Sequence, residues 1–161
     1  MQYTLVKNIF SRKNRFEVMD IHEHPIATVS RAAIGLFSKV FELKLFDADN
    51  IEIKQYYKGL RYNYAIYESS VKVADLNRKY RFFRSYFWLD CLNGNIYKIE
   101  CDSLRKNYTF FKEEEIVATL KRKSRKMRRS YELTCLQMED QSIILASVVA
   151  LDAYFEQNGG G

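Results

Sequence analysis

Residues 143–155 read Ile-Ile-Leu-Ala-Ser-Val-Val-Ala-Leu-Asp-Ala-Tyr-Phe and contain the longest apolar stretch of the chain. As an α-helix this segment is apolar on nearly every face, so in a soluble protein it must be buried on all sides. It is too short to span a bilayer, which takes about 20 apolar residues, and Asp152 would carry a charge into the lipid. With Asp140 or Ser142 as the N-cap, we predict a buried helix over residues 140–157.

The chain before this helix repeats a unit of two short strands. An aromatic residue begins the first strand of each unit, and apolar and polar residues alternate within the strands. The aromatic residues at these positions are Phe16, Phe41, Tyr64, Phe87, Tyr108 and Tyr131, at intervals of 25, 23, 23, 21 and 23 residues. Such units are too short for a β–α–β crossover, which takes about 30 residues or more, and they have the length of β-hairpins. Turn residues such as His24-Pro25 and Asn93-Gly94-Asn95 mark the hairpin tips.

These units, together with an opening strand at residues 3–6, predict about twelve antiparallel strands. Eight strands make a barrel that its own side chains fill, whereas more strands leave a lumen. A helix about 10–12 Å across would fit into that lumen. We therefore predict an all-β fold plus one helix, in which a closed antiparallel barrel of about 12 strands encloses the hydrophobic C-terminal α-helix. The predicted single domain covers residues 1–158, and residues 159–161 form a glycine tail outside it.

Composition and charge describe a folded chain with a basic balance. The sequence is 47% hydrophobic and 29% charged, which excludes a disordered protein. Cys91, Cys101 and Cys135 show no metal-like spacing and are predicted to be reduced thiols. The N-terminus has no apolar signal segment, so we expect a cytoplasmic protein without a transmembrane segment that can associate peripherally with a membrane. The net charge of +6 favours polyanionic partners.

Several stretches resemble the LURP-one-related proteins. They are Phe10-Ser11 with Phe16-Glu17-Val18, Phe37-Ser38 with Phe41-Glu42-Leu43, Ile26-Ala27-Thr28-Val29, and the C-terminal residues 146–155. The resemblance extends over residues 2–157. It places the chain in the tubby-like superfamily, with the tubby C-terminal domain and the phospholipid scramblases. It implies a barrel around a terminal helix and, because the tubby relatives bind phosphoinositide headgroups, a lipid ligand; it assigns no site residues.

The sequence predicts no enzyme, no catalytic residue, no metal site and no cofactor. His22-Glu23-His24 and Glu113-Glu114-Glu115 have metal-ligand chemistry, but each is expected at a solvated hairpin tip. Asp152 is the one polar anomaly of the apolar helix. We expect it to be hydrogen-bonded at the mouth of the barrel, so that Asp152→Asn is tolerated and Asp152→Leu costs on the order of 1 kcal/mol.

The predicted topology separates opposite charges. The hairpin tips, here called the tip rim, carry ten acidic residues against two lysines over residues 19–25, 46–52, 67–72, 89–95 and 111–116. The connections between units, here called the connector rim, carry 22 basic residues against two acidic ones over residues 7–15, 30–40, 54–62, 76–84, 100–107 and 121–129. The candidate ligand-binding residues of the connector rim are Lys121, Arg122, Lys123, Arg125, Lys126, Arg128, Arg129, Arg78, Lys79, Arg81, Arg84, Arg12, Lys13 and Arg15. Phe10, Phe37, Tyr57, Phe82 and Phe83 are interleaved with them.

This pattern favours a non-enzymatic barrel that binds polyanions through the connector rim, with anionic phospholipid headgroups as the first choice. Basic residues with exposed aromatic rings also suit nucleic acids or nucleotides, which form the first alternative. The second alternative is a scaffold for an acidic protein partner. A further alternative is that the aromatic side chains plug the end of the barrel and the charges only maintain solubility. The sequence leaves the oligomeric state open.

Overall fold

The computed structural model describes residues 1–8, 11, 14–32, 39–81, 84–125 and 128–157. Its twelve strands are β1 (Gln2–Lys7), β2 (Asn14–Met19), β3 (Pro25–Arg31), β4 (Val40–Leu45), β5 (Ile51–Lys58), β6 (Arg61–Glu68), β7 (Val71–Arg81), β8 (Arg84–Cys91), β9 (Ile96–Cys101), β10 (Asn107–Lys112), β11 (Glu115–Arg125) and β12 (Arg128–Cys135). They are followed by one helix, α1 (Gln141–Gln157).

The strands form a closed antiparallel barrel in which each pairs with its sequence neighbours. The pairing of β1 with β12, with Leu5 opposite Tyr131, closes the sheet. Closure removes the exposed sheet edges that an open sheet of this size would present. The predicted fold class is therefore confirmed, and the predicted tips and connectors lie at opposite ends of the barrel.

The core lies between the inner face of the barrel and the helix. Apolar side chains that alternate along the strands, such as Leu5 in β1 and Val29 in β3, point inward and are fully buried. Helix α1 is buried continuously from Ile143 to Phe155. Ile144 and Val148 have no exposed surface and Leu151 has 2%, which confirms the prediction of an enclosed helix.

The direction of α1 determines which residues meet at each end. Strand β12 ends at the tip rim, so the helix enters the lumen there and runs toward the connector rim. Its last turns meet side chains at the connector ends of the strands: Tyr154 packs against Tyr62 and Phe155 against Tyr108, with ring centroids 5.3 and 5.7 Å apart.

Asp140 immediately precedes the helix but does not cap it with its side chain. Its carboxylate instead accepts hydrogen bonds from Asn93, Asn95 and Tyr97 at the neighbouring hairpin tip, at 2.9, 2.8 and 2.7 Å. Ser142 lies within the first helical turn. Asp140 nevertheless occupies the predicted N-cap position, since its backbone carbonyl accepts the hydrogen bond from the Ile144 N–H at 2.9 Å. A tertiary network uses the carboxylate that the local sequence assigns to the helix.

Among the residues that the structure describes, no helix has the length and apolar character needed to cross a membrane.

Candidate functional site

The structure divides the predicted connector-rim residues between the two faces of the barrel wall. Directly opposite residues of antiparallel strands share a face, so Arg122, paired with Tyr131, and Arg78, paired with Phe87, lie on the lumen side. Arg129, two residues before Tyr131 on the same strand, shares that side. Arg15 also reaches into the lumen, where its Nη2 donates to Asp152.

The other predicted residues lie on the outer face or outside the described side chains. Lys79 lies over the outer-face Trp88 ring at 5.3 Å, and Lys123 forms an ion pair with Glu132. Lys121 is exposed. The structure describes only the backbone of four further candidates. They pair at the ends of two hairpins, Arg81 with Arg84 and Arg125 with Arg128. Arg12, Lys13, Lys126, Phe10, Phe37, Phe82 and Phe83 lie outside the described residues.

The lumen end of the connector rim, here called the mouth, contains a network centred on Asp152. This carboxylate is 1% exposed and accepts hydrogen bonds from Lys7 at 3.1 Å, Arg15 at 2.9 Å and Tyr131 at 2.7 Å. Glu156, one helical turn later, accepts hydrogen bonds from the same Lys7 and Arg15. The last turn of α1 thus neutralises two cations of the barrel wall, and cations near a helix C-terminus are also favoured by the helix dipole.

Lys7 was not among the candidate residues, although its inward orientation could be inferred from the sequence. It continues the inward alternation of Tyr3 and Leu5 along β1. An inward lysine at the end of a strand needs a buried partner. Asp152 is the carboxylate of the predicted buried helix, but the pairing itself depends on how the helix is seated in the lumen.

Two further cations of the mouth are compensated more weakly, because the charge of Glu156 acts on Lys39 without forming an ion pair with it. Arg31 ends β3 and Lys39 precedes β4. No carboxylate within residues 1–8, 14–32, 39–81, 84–125 and 128–157 forms an ion pair with either of them, and the buried Nε of Arg31 has no hydrogen-bond partner there. Burial, together with the like charges of Arg31 and Arg15, lowers the pKa of Lys39. The mouth therefore has cationic groups whose charge would be stabilised by an added anion.

Exposed apolar side chains accompany these cations on the connector rim. Leu60 lies fully exposed in the tight turn between β5 and β6, where Gly59 has φ of 66°. Leu104 is 70% exposed in the turn between β9 and β10. Exposed cations flank both leucines in sequence, Lys58 before Leu60 and Lys106 after Leu104. Tyr57, the one described member of the interleaved aromatic set, is 53% exposed and does not plug the barrel.

The aromatic plug of the mouth consists of residues that the sequence did not single out for it. Tyr154 and Phe155 of α1 pack on Phe87 with centroid distances of 5.2 and 6.0 Å. Arg78 lies over the Tyr154 ring at 4.7 Å and Arg105 over the Phe155 ring at 5.4 Å. The lumen is thereby closed beneath a layer of arginine side chains.

The other sequence candidates lie away from the mouth. His22 and His24 are exposed at the tip between β2 and β3. Glu113 and Glu114 form the tip between β10 and β11, and Glu115 begins β11. Across the described part of the chain, no cluster of three or more His, Cys, Asp or Glu side chains is suited to hold a metal ion.

All three cysteines are unpaired. Burial raises the pKa of the Cys101 and Cys135 thiols to about 11 in each case, which makes them poor nucleophiles.

Acid should weaken the network at the mouth through Glu156. Burial alone would raise the pKa of Glu156, but the hydrogen bond from Lys7 and the charge of Arg15 outweigh burial and lower it. A carboxylate with a lowered folded-state pKa contributes stability above its unfolded value, here 4.5, and loses it as the pH falls through the folded value. We expect Glu156→Gln to unfold more easily than the parent protein at neutral pH, and the difference to shrink below about pH 4.5.

Thermal unfolding of both proteins between neutral and acidic pH measures this difference. Glu114→Gln, which alters an exposed acid of the tip rim, is the matched control and should stay within about 0.5 kcal/mol of the parent. A Glu156→Gln effect of constant size across the acid range would contradict the assignment.

The sequence matches the model of the LURP-one-related family over residues 1–152, which is most of the chain. No curated protein and no solved structure matches it.

Proposed function

The chain belongs to the LURP-one-related family, and we propose that it is a non-enzymatic barrel that binds anionic phospholipid headgroups through its connector rim. The observation that carries this proposal is the pair of exposed leucines, Leu60 and Leu104, each at the apex of a connector and each next to exposed cations. Basic residues attract a protein to an anionic membrane surface, and apolar side chains beside them enter the boundary between headgroups and acyl chains.

Two sets of cations support headgroup binding at different depths. Lys58, Lys106 and Lys121 are exposed around the rim and would meet the membrane surface. Arg31 and Lys39 lie further in, at the mouth, where an anionic headgroup would compensate charges that the described carboxylates leave unpaired. The exposed lysines would thus attract the membrane surface, while Arg31 and Lys39 would contact the phosphate of a bound headgroup.

A non-catalytic role is supported by the way helix α1 fills the lumen at the mouth. The helix occupies the space in which barrels of this size hold ligands, and Asp152, its buried carboxylate, is already engaged by Lys7, Arg15 and Tyr131. A catalytic acid or base has to reach its substrate, and this carboxylate is 1% exposed. The proposed location is the cytoplasmic surface of a membrane.

Single-stranded nucleic acid is the second candidate ligand, and Tyr57 favours it. This ring is half exposed next to Lys58, and nucleic-acid bases stack on exposed rings between cations. The leucines favour lipid, because an aliphatic side chain offers a base no stacking surface. Lipid therefore has the stronger support.

The expected result is salt-sensitive binding to phosphatidylcholine vesicles that contain phosphatidylserine, and none to phosphatidylcholine alone. Substituting Lys58, Lys106 and Lys121 together by glutamine should remove about 1 kcal/mol of attraction for each lysine, which amounts to roughly a hundredfold loss of affinity. Vesicle cosedimentation measures the affinity. Leu60→Ser with Leu104→Ser should also release the protein from vesicles while leaving its net charge unchanged.

The matched control substitutes Lys44, Lys72 and Lys112, which lie toward the tip rim, by glutamine. It changes the net charge by the same amount at the opposite end, so it should leave vesicle binding nearly unchanged. If both triple variants lose vesicle affinity equally, the binding depends on the net charge of the protein, and a site on the connector rim is refuted. If the protein binds single-stranded oligonucleotides more tightly than vesicles, and Tyr57→Ser abolishes that binding, the ligand is nucleic acid and not lipid.

A further inference from the structure

The tip rim, opposite the proposed membrane face, is rich in exposed apolar side chains. Large apolar residues that are exposed in the described structure lie mostly at or beside the hairpin tips: Met1, Ile21, Phe46, Val71, Leu92, Ile96, Ile116, Leu136 and Met138. Exposed apolar groups concentrated on one face are typical of interaction surfaces. The same hairpin tips also carry acidic residues.

A cavity of about 580 Å³ opens within this rim. Its inner wall consists of Tyr3, Ile26, Leu45, Ile143 and Leu145. The backbone of helix α1 comes closest to β5, β6 and β7, on the other side of the barrel from β1. Its first residue still reaches β1, where the Tyr3 hydroxyl donates to Oε1 of Gln141 at 2.7 Å. Ile26 and Leu45 are only half-buried although they pack on the core. The cavity lies within the size range of ligand pockets.

The groups around the opening define what would fit into it. Phe46 and Met138 stand at the opening and are 57% and 77% exposed. Asp47 and Glu68 also line it, whereas the carboxylate of Asp140 is already bound by neighbouring tip side chains. An apolar anchor would fill the cavity, and cationic groups beside the anchor would meet Asp47 and Glu68.

We propose that the tip rim is a docking surface for a basic, amphipathic segment of another protein, which inserts an apolar side chain into this cavity. The carboxylates of the rim repel an anionic membrane, so its apolar residues are not membrane anchors. An amphipathic segment with lysine or arginine around apolar anchors matches both the cavity and the charge. The inference goes beyond the lipid proposal, because it gives the opposite end of the barrel a partner of opposite charge.

A labelled amphipathic helical peptide of leucine and lysine serves as the probe. We expect it to bind the full chain in fluorescence anisotropy, and a peptide with glutamate in place of lysine not to bind. Amide signals of Leu45, Asp47 and Ile143 should shift in heteronuclear NMR spectra. Phe46→Ser and Met138→Ser should each weaken binding by about tenfold, as loss of a central apolar contact does.

The matched control is Leu104→Ser, which removes an exposed leucine from the connector rim and should leave peptide binding unchanged. Equal weakening by Leu104→Ser, or signal shifts confined to the connector rim, would overturn the proposal. Absence of peptide binding at low salt would overturn it as well. Concentration-dependent self-association that Phe46→Ser abolishes would assign the surface to a second copy of this chain instead. Vesicle binding, measured in parallel, should be unaffected by Phe46→Ser, so the failure of one proposal is distinguishable from the failure of the other.

Discussion

Replacing Asp152 by leucine should destabilise the protein by about 3–5 kcal/mol, because it removes the buried carboxylate that Lys7 and Arg15 share and leaves them only the more exposed Glu156. The side chains of Lys7 and Arg15 are 10% and 12% exposed, and both donate to this carboxylate. The hydroxyl of Tyr131 would lose its acceptor as well. The expected destabilisation is larger than the cost of about 1 kcal/mol expected from the sequence, because that value counts only the loss of one hydrogen bond of Asp152.

Urea denaturation of the full chain measures the change in the free energy of unfolding. Asp152→Asn retains an acceptor for Tyr131 but loses the charge, so we expect it also to be destabilising, contrary to the tolerance expected from the sequence. Combining Asp152→Leu with Lys7→Met should recover part of the loss, since it removes one of the two cations that are left with Glu156 alone. A cost near 1 kcal/mol for Asp152→Leu, with no recovery in the double variant, would contradict the ion-pair network.

Deletion of residues 141–157 should abolish cooperative folding. The helix covers the inner surface of the barrel with a continuously buried segment, and the barrel cannot collapse onto the space that it leaves. The remaining chain would expose an apolar lumen, so we expect aggregation, binding of hydrophobic dyes and no sharp thermal transition.

Single substitutions test the same packing in graded form. Leu151→Ala should cost about 2–5 kcal/mol, as truncation of a buried leucine does, while Ile116→Ala, at an exposed position of the tip rim, should cost about 0.5 kcal/mol or less. Deletion of residues 159–161, which the sequence predicts to lie outside the fold, is the control for the helix deletion. A soluble product of the helix deletion with a cooperative transition would show that the barrel folds without its central helix.

The architecture was predictable because its signals are local and repeated. Alternation in segments such as Phe41-Glu42-Leu43 specifies a strand with one buried face, and the return of that pattern every 21–25 residues specifies the number of hairpins. A helix that is apolar around its whole circumference can only be enclosed, and a barrel of this strand number offers the enclosure. Strand number, helix position and the placement of tips and connectors at opposite ends of the barrel therefore followed from sequence.

The composition of the mouth was only partly predictable. The basic run at residues 121–129 attracted attention because its charges are adjacent in sequence, yet alternation along β11 sends Lys123 outward to Glu132 while Arg122 lies on the lumen side. Arg31 and Lys39 are isolated in sequence and come together because the two strands that they flank are paired. A cluster of charged residues in the sequence therefore does not show which charges lie close together in the folded protein.

The sequence by itself determined a twelve-stranded barrel around a buried helix, with acidic tips and basic connectors, because each of these follows from periodicity and chain order. Only the tertiary structure decided that Asp152 pairs with Lys7, 145 positions away, and that a cavity opens beside Leu45. Both depend on where the helix lies inside the lumen and how it is rotated about its axis. A helix that is apolar on every face carries no periodic signal that fixes its rotation or its offset, so side-chain packing and the buried ion pairs set both.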